Sequence, residues 1–155
     1  MVDKSQVAFR GELSFCSNFY PCPVTYKGVV HCSSEHAFQW AKCKKQEDRD
    51  KILRTTSAAE AKKIGKEAEL IDNWNGLRLG IMCDILESKF SNAILAGKLL
   101  ATGDLHLEEK NYWHDYWWGT CNGKGENWLG RILMDIRSKI REETRKSFDN
   151  LQNNK

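Results

Sequence analysis

The chain has no long apolar run. No stretch of its 155 residues approaches membrane-spanning length, and no signal-peptide pattern follows Met1. Both absences predict a cytoplasmic location, or a nucleocytoplasmic one in a eukaryote, with no membrane partner. The six cysteines (Cys16, Cys22, Cys32, Cys43, Cys83 and Cys121) form no C-x-x-C pair. The spacing of a zinc site is therefore missing, and reduced thiols, several of them buried, are expected instead. There is no nucleophile elbow and no Cys–His or Ser–His pair at a familiar spacing. A P-loop and a dinucleotide fingerprint are also absent. Net charge is small, 24 − 21 = +3. That admits a phosphate-bearing ligand but does not argue for tight nucleic-acid binding. Internal repeats, linkers and a visible domain boundary are lacking too.

What is present suits one globular domain. Hydrophobic residues make up 41% and charged residues 29%, ordinary proportions for a chain able to bury a core. Val7 to Phe9 and Leu13 to Phe15 read as short extended pieces. Val24–Tyr26 and Val29–Cys32 read as a hairpin turning at Lys27-Gly28. Ser33 or Ser34 caps a helix over "SSEHAFQWAK", and a charged helical segment continues to about Arg54. "SAAE" at Ser57–Glu60 is a capping box, and its helix weakens near Gly65. Asn73 to Phe90 is the longest periodic segment, with Trp74, Leu77, Ile81, Ile85 and Phe90 close to one face and Leu79, Met82 and Leu86 widening it. A helix capped by Ser91 or Asn92 ends at Thr102-Gly103. Asp104 to Lys110 alternates like a strand. Asn111 to Glu126 is loop-like, and Asn127 to Arg145 is a last amphipathic helix.

Four segments could carry chemistry. On a helix, Glu35, Gln39 and Lys42 form one stripe. Two turns separate Glu35 from Lys42, about 10.5 Å of rise, which suits the two ends of one ligand. Composition alone favours a solvated face, and His36 is a structural candidate. "LSFCSNFYP" offers Asn18 and Phe19 for hydrogen bonding and stacking, or is a tight packed loop. "DNWNGLR" places Trp74 in a first helical turn with Arg78 one turn later, fit for a ring and a phosphate, or for a core staple. "HDYWWGTCNGKGENWLG" sets Asp115 beside Trp117 and Trp118, then runs a Gly-rich turn (Gly123, Lys124, Gly125) into a helix at Asn127. Glycines let backbone approach an anion, and a helix start aims N–H groups at it. Six tryptophans is a high count, and four of them, Trp113, Trp117, Trp118 and Trp128, crowd here, which favours a ligand over a bare surface loop. Carboxylates, one amine and indole rings suit a nucleotide-like ligand cleaved at a sugar carbon, a reaction that needs no metal.

These segments, in this order, resemble the NADAR (YbiA-like) superfamily. The matching pieces are "LSFCSNFYPCPVTYKG", "SSEHAFQWAK", "NWNGLRLGIMCDILESKF", "LLATGDLHLEE" and "DYWWGTCNGKGENWLGRILMDIR", about Phe9 to Arg141. The resemblance implies a helix-rich α+β single domain over residues 7–145 with a small N-terminal β-hairpin, and flexible termini at 1–6 and 146–155. It implies an N-glycosidase without cofactor or metal. One branch of the family hydrolyses ribosylamino intermediates of the riboflavin pathway. Another removes ADP-ribose from guanine in DNA or RNA, as antitoxin to an ADP-ribosylating toxin. The second substrate is the leading expectation; a non-catalytic reader of ADP-ribose or NAD is the alternative of another class. By the same resemblance Glu35 orients ribose or activates water, and Lys42 matches the family's helix lysine, an amine able to trap C1 as a Schiff base, with direct attack by water as the alternative. Asp115 and Glu109 (with Glu108 as the fallback) supply further carboxylates. Asn18, Phe19, Gln39, Trp74, Arg78, Trp118 and Gly119 contact substrate, and Gly123, Lys124, Gly125 and Asn127 take phosphates.

Overall fold

The computed structural model describes residues 9–154; Val7, Ala8, the expected flexible start at 1–6 and Lys155 lie outside the described residues. These residues divide into two compact units: Ser14–Lys89, and the described parts of Met1–Leu13 with Phe90–Lys155. Composition does not mark the division. It falls within a 3-10 segment, Gly11–Cys16, and at the last residue of a helix. The 3-10 segment also replaces the extended piece expected at Leu13–Phe15.

The first unit is built around one short helix. Strands β1 (Val24–Tyr26) and β2 (Val29–His31) pair antiparallel, Tyr26 opposite Val29. The turn uses left-handed backbone at Lys27 and Gly28, as a two-residue hairpin requires. Helix α1 (Ser34–Lys42) follows, and Ser34 through Gln39 are all buried. Small and apolar side chains on most of its faces let neighbours approach from several sides. Helices α2 (Gln46–Arg54), α3 (Ala58–Glu67) and α4 (Trp74–Lys89) complete the unit. Ser57 caps α3 by accepting from the Glu60 backbone N–H. That helix runs past Gly65, because Gly65 is buried against α1 and not frayed.

Helix α4 buries most of the expected face, with Trp74 and Phe90 covered at its two ends. Met82, Ile85, Leu86 and Lys89 are buried, whereas Leu77 is 44% exposed. The helix carries apolar residues on nearly every side, so periodicity selects no single face. Lys89 is fully buried and donates to the Ser17 carbonyl at 2.9 Å. Burial pushes its ammonium down to about 8.

In the second unit, Asn92 caps α5 (Ala93–Ala101) through the Ile94 and Leu95 N–H groups. The stretch from Asp104 is not the expected strand. Arg137 donates to the Leu105 carbonyl and Arg141 to the Gly103 carbonyl, so side chains take the acceptors a ladder would use. Further on, β3 (Lys110–Asn111) and β4 (Thr120–Cys121) pair in parallel. Helix α6 (Trp128–Asn153) buries Leu129, Ile132, Leu133 and Ile136. It continues through residues 146–153, where the sequence reading expects a flexible tail; the polar residues there are exposed on a regular helix.

Candidate active site

Both ends of α1 are fixed by bonds from other segments. At its start the Ser33 hydroxyl accepts from the His36 N–H, and the Asn18 carbonyl accepts from the Glu35 N–H at 2.9 Å. Ser34 donates to the Asn18 side-chain oxygen at 2.9 Å. His36 Nε2 lies 3.0 Å from the Thr55 carbonyl, which can only accept. Nε2 therefore carries the proton, and Nδ1 accepts from Ser33 Oγ at 2.6 Å. His36 is structural, as its sequence position suggests. At the far end Cys43 forms a one-residue antiparallel bridge with Leu70. The Ile71 N–H donates to the Lys42 carbonyl at 3.0 Å, which pins the lysine's backbone.

The stripe is not a solvated face. Glu35 is 7% exposed, and Gln39 donates to its Oε1 at 2.8 Å. Gln39 lies against Gly65 of α3, where a Cβ would collide with the amide oxygen. Its amide thus holds the carboxylate, a role distinct from the expected substrate contact. Lys42 is half-buried. Burial pushes its ammonium below the ordinary lysine range, and nearby Lys62 pushes the same way; Glu35 and Cys43 oppose them. A carboxylate and an amine of lowered basicity therefore share one helix face.

Phe38, next to the stripe, carries Trp74 against it at 5.1 Å between ring centroids. Trp74 is buried, in keeping with a packed wall, and half-buried Arg78 lies one turn on. Asn18 spends its side chain on Ser34 and on Met82 Sδ (3.7 Å), so it fixes the loop. Phe19 remains exposed, with Lys62 Nζ 5.8 Å from its ring centroid. Sequence reasoning missed Lys62. On α3 it precedes Gly65 by one turn, and a close α1–α3 contact at that glycine was the available clue.

In the second unit the expected phosphate turn is committed to internal structure. Asn122 and Gly123 both have positive φ, and Cys121 and Lys124 exchange N–H···O bonds of 2.8 and 3.1 Å. This is a type I′ hairpin turn. At Gly125 a Cβ would strike the Gly119 carbonyl, and at Gly119 one would strike the Glu109 carbonyl. These two glycines make room for backbone. Asn127 accepts from the Glu109 N–H and donates to the Leu107 carbonyl, both at 3.0 Å. The Trp128 and Leu129 N–H groups donate to the Trp117 and Trp118 carbonyls. The start of α6 therefore has protein acceptors where a phosphate was expected. Lys124 is exposed at the turn.

Asp115 Oδ1 accepts from the Trp117 and Trp118 N–H groups at 3.1 and 3.0 Å, an Asx turn that sets both indoles. Buried Asn111, absent from the sequence reading, brackets Asp115 through its backbone N–H and carbonyl. Glu109 is half-buried in this loop, and Glu108 accepts from Thr120 Oγ1 at 2.7 Å. Glu108 is thereby occupied in holding β4.

A family model described as the NADAR domain matches residues 8–141. A riboflavin biosynthesis protein of Vibrio vulnificus is 38% identical over 131 residues, covering 83% of this chain and 36% of that protein. The N-glycosidase YbiA of Escherichia coli is 34% identical over 127 residues, 80% of this chain and 79% of YbiA. An N-glycosidase of Nostoc punctiforme is 30% identical, covering 81% of this chain and 84% of its own length. The NMR structure of E. coli YbiA superposes with a TM-score of 0.78 at 32% identity, over 88% of this chain and 83% of that one. The chain thus spans about a third of the Vibrio protein but most of the shorter relatives. On the match over residues 8–141, the chain belongs to the NADAR domain family.

Proposed function

We propose that this chain cleaves the bond between ribose C1 and an amino group on a base, with ADP-ribosylated guanine in nucleic acid as the substrate. That it is an N-glycosidase follows from family membership and from relatives of that name at 30–34% identity; the substrate is our reading. The observation that carries it is the buried Glu35 carboxylate, held by Gln39, on the same helix face as a half-buried Lys42 of lowered pKa.

In the proposed route the glycosylamine opens to an imine at C1. Neutral Lys42 Nζ adds to C1, and the base leaves as its free amine after taking one proton. Water then adds to the lysine–C1 imine and releases the ribose aldehyde with Lys42 restored. Glu35 carries the proton that Lys42 Nζ loses on addition to the departing base nitrogen, and later accepts a proton from the attacking water and passes it to Lys42 Nζ as the lysine–C1 bond breaks. The neutral amine that this route needs is favoured by burial and by Lys62.

Exposed Tyr112, Trp113 and Tyr116 favour the nucleic-acid substrate, because exposed rings stack on bases with little sequence preference. A ribosylamino-pyrimidine phosphate of the riboflavin pathway is the second reading, supported by the name of the Vibrio relative. The test is to incubate the protein with an ADP-ribosylated guanine oligonucleotide and, separately, with the ribosylamino-pyrimidine phosphate. Release of ADP-ribose from the first is expected, and release only from the second reverses the order. ADP-ribose binding without release from either would make the chain a reader. Borohydride should trap a sugar adduct that Lys42→Ala abolishes; near-normal turnover of Lys42→Ala would sink the imine route.

A further inference from the structure

The first unit contains a cavity of about 410 Å³ that the catalytic stripe does not line. Its α1 residues are Trp40 and Ala41. At 100° per residue these point about 140° and 240° around the helix from Glu35, with Gln39 and Lys42 within 40° of Glu35. The cavity and the stripe therefore occupy opposite faces of α1.

The floor is the exposed face of α4: Leu77, Gly80, Ile81 and Asp84, spaced i, i+3, i+4, i+7. Leu77 and Ile81 have the sequence character of core residues, yet the fold leaves Leu77 exposed and Ile81 half-buried. Gly80 is more informative. Glycine weakens a helix interior relative to alanine, and nothing lies within 4 Å of where a Cβ would be. Protein packing does not require this glycine; an occupant lying flat on the helix backbone would. Tyr26 and Trp40 supply aromatic walls at 6.3 Å between centroids. The Trp40 indole N–H is buried without an acceptor.

The polar groups at the cavity are specific. Arg49 stacks its guanidinium 4.6 Å over Trp40 and commits only Nε, to the Cys43 carbonyl at 2.9 Å. Its terminal nitrogens meet no protein acceptor among the described residues. Lys27 lines the same opening, and Asp84 faces it without an ion pair among the described residues. Two cations suit an anionic group, a lone carboxylate suits a ring edge that donates N–H, and apolar walls suit a flat ring.

We propose that this cavity is a second ligand site for a planar base carrying a phosphate, the chemistry of a nucleoside monophosphate, either free or as one residue of a nucleic-acid strand. It stands on the lining of this cavity and not on the catalytic stripe, so it survives if the substrate assignment above fails.

The Trp40 indole N–H is a built-in reporter. In an NMR titration of the full chain with guanosine 5′-monophosphate its resonance moves saturably, while guanosine or inorganic phosphate alone moves it at least about tenfold more weakly. A short single-stranded oligonucleotide serves as the second arm: tighter binding than the monophosphate assigns the site to a strand, weaker binding to the free nucleotide. Gly80→Leu, which fills the floor with a better helix former, abolishes the shift; Lys27→Glu, at an exposed turn, weakens it. Lys42→Ala leaves it intact. The proposal fails if millimolar nucleotide gives no saturable shift, or if the shift survives Gly80→Leu and disappears with Lys42→Ala.

Discussion

Two lysines and a histidine make testable statements at the scale of single residues. Burial depresses the Lys42 ammonium, and the positive charge of Lys62 adds a smaller push the same way. If neutral Lys42 attacks, turnover rises with pH along a limb centred below the ordinary lysine value of about 10.4. Lys62→Ala removes one repulsion, so the limb should move to higher pH. A kcat–pH profile of both proteins checks this, and an unmoved limb would mean that another group titrates. His31 is buried with both ring nitrogens unpartnered, its ring 5.2 Å from Trp40. Burial drops its imidazolium to about 4. The folded state then resists the proton that the unfolded chain accepts near pH 6.5, so stability is lost as pH falls from about 6.5 toward 4. His31→Phe should flatten that part of a stability–pH curve measured by urea unfolding. The full effect is on the order of 3 kcal/mol. An unchanged slope would clear His31.

At the scale of elements, the contact between α1 and α3 has the sharpest consequence. Gly65→Ala should favour helix formation in α3 yet drive Gln39 off its seat. With Gln39 displaced, Glu35 loses its donor. We expect a normal circular-dichroism spectrum and a fall in kcat of about tenfold or more, since catalytic groups tolerate little misplacement. A variant with full activity would show that Gln39 does not orient the carboxylate. Legibility also divides along elements. The hairpin, the Ser33, Ser57 and Asn92 caps and the Glu35–Gln39–Lys42 stripe all rest on local rules, and they stood in the sequence. The exposure of Leu77 on α4 did not, because apolar residues surround that helix and only tertiary packing chooses among them. The fate of the Gly123–Gly125 turn was hidden for a related reason. Glycine is needed both where backbone meets an anion and where backbone meets backbone, and nothing local distinguishes the two. Lys62 matters through Lys42 on another helix, which spacing does not reveal.

At the scale of the whole molecule, the family match ends at residue 141 while α6 runs to Asn153. Residues 141–154 are all exposed, including Phe148 and Leu151. They bury almost no apolar area, so removing residues 146–155 should change unfolding free energy by less than about 1 kcal/mol. Turnover should be unchanged. A thermal melt and an activity assay of the shortened chain check both; a large loss of either would assign these turns a contact in solution. No helix among the described residues is long and apolar enough to cross a membrane.

The burial of α1 carries one more consequence. Most enzymes place reactive groups on loops that open without disturbing the scaffold. Here Glu35 and Lys42 belong to the most enclosed helix of their unit, so their backbone amides should exchange with deuterium only when that unit opens as a whole. Inactivation and unfolding then become a single event. Heat or denaturant should remove both together, leaving no population that is folded but chemically silent.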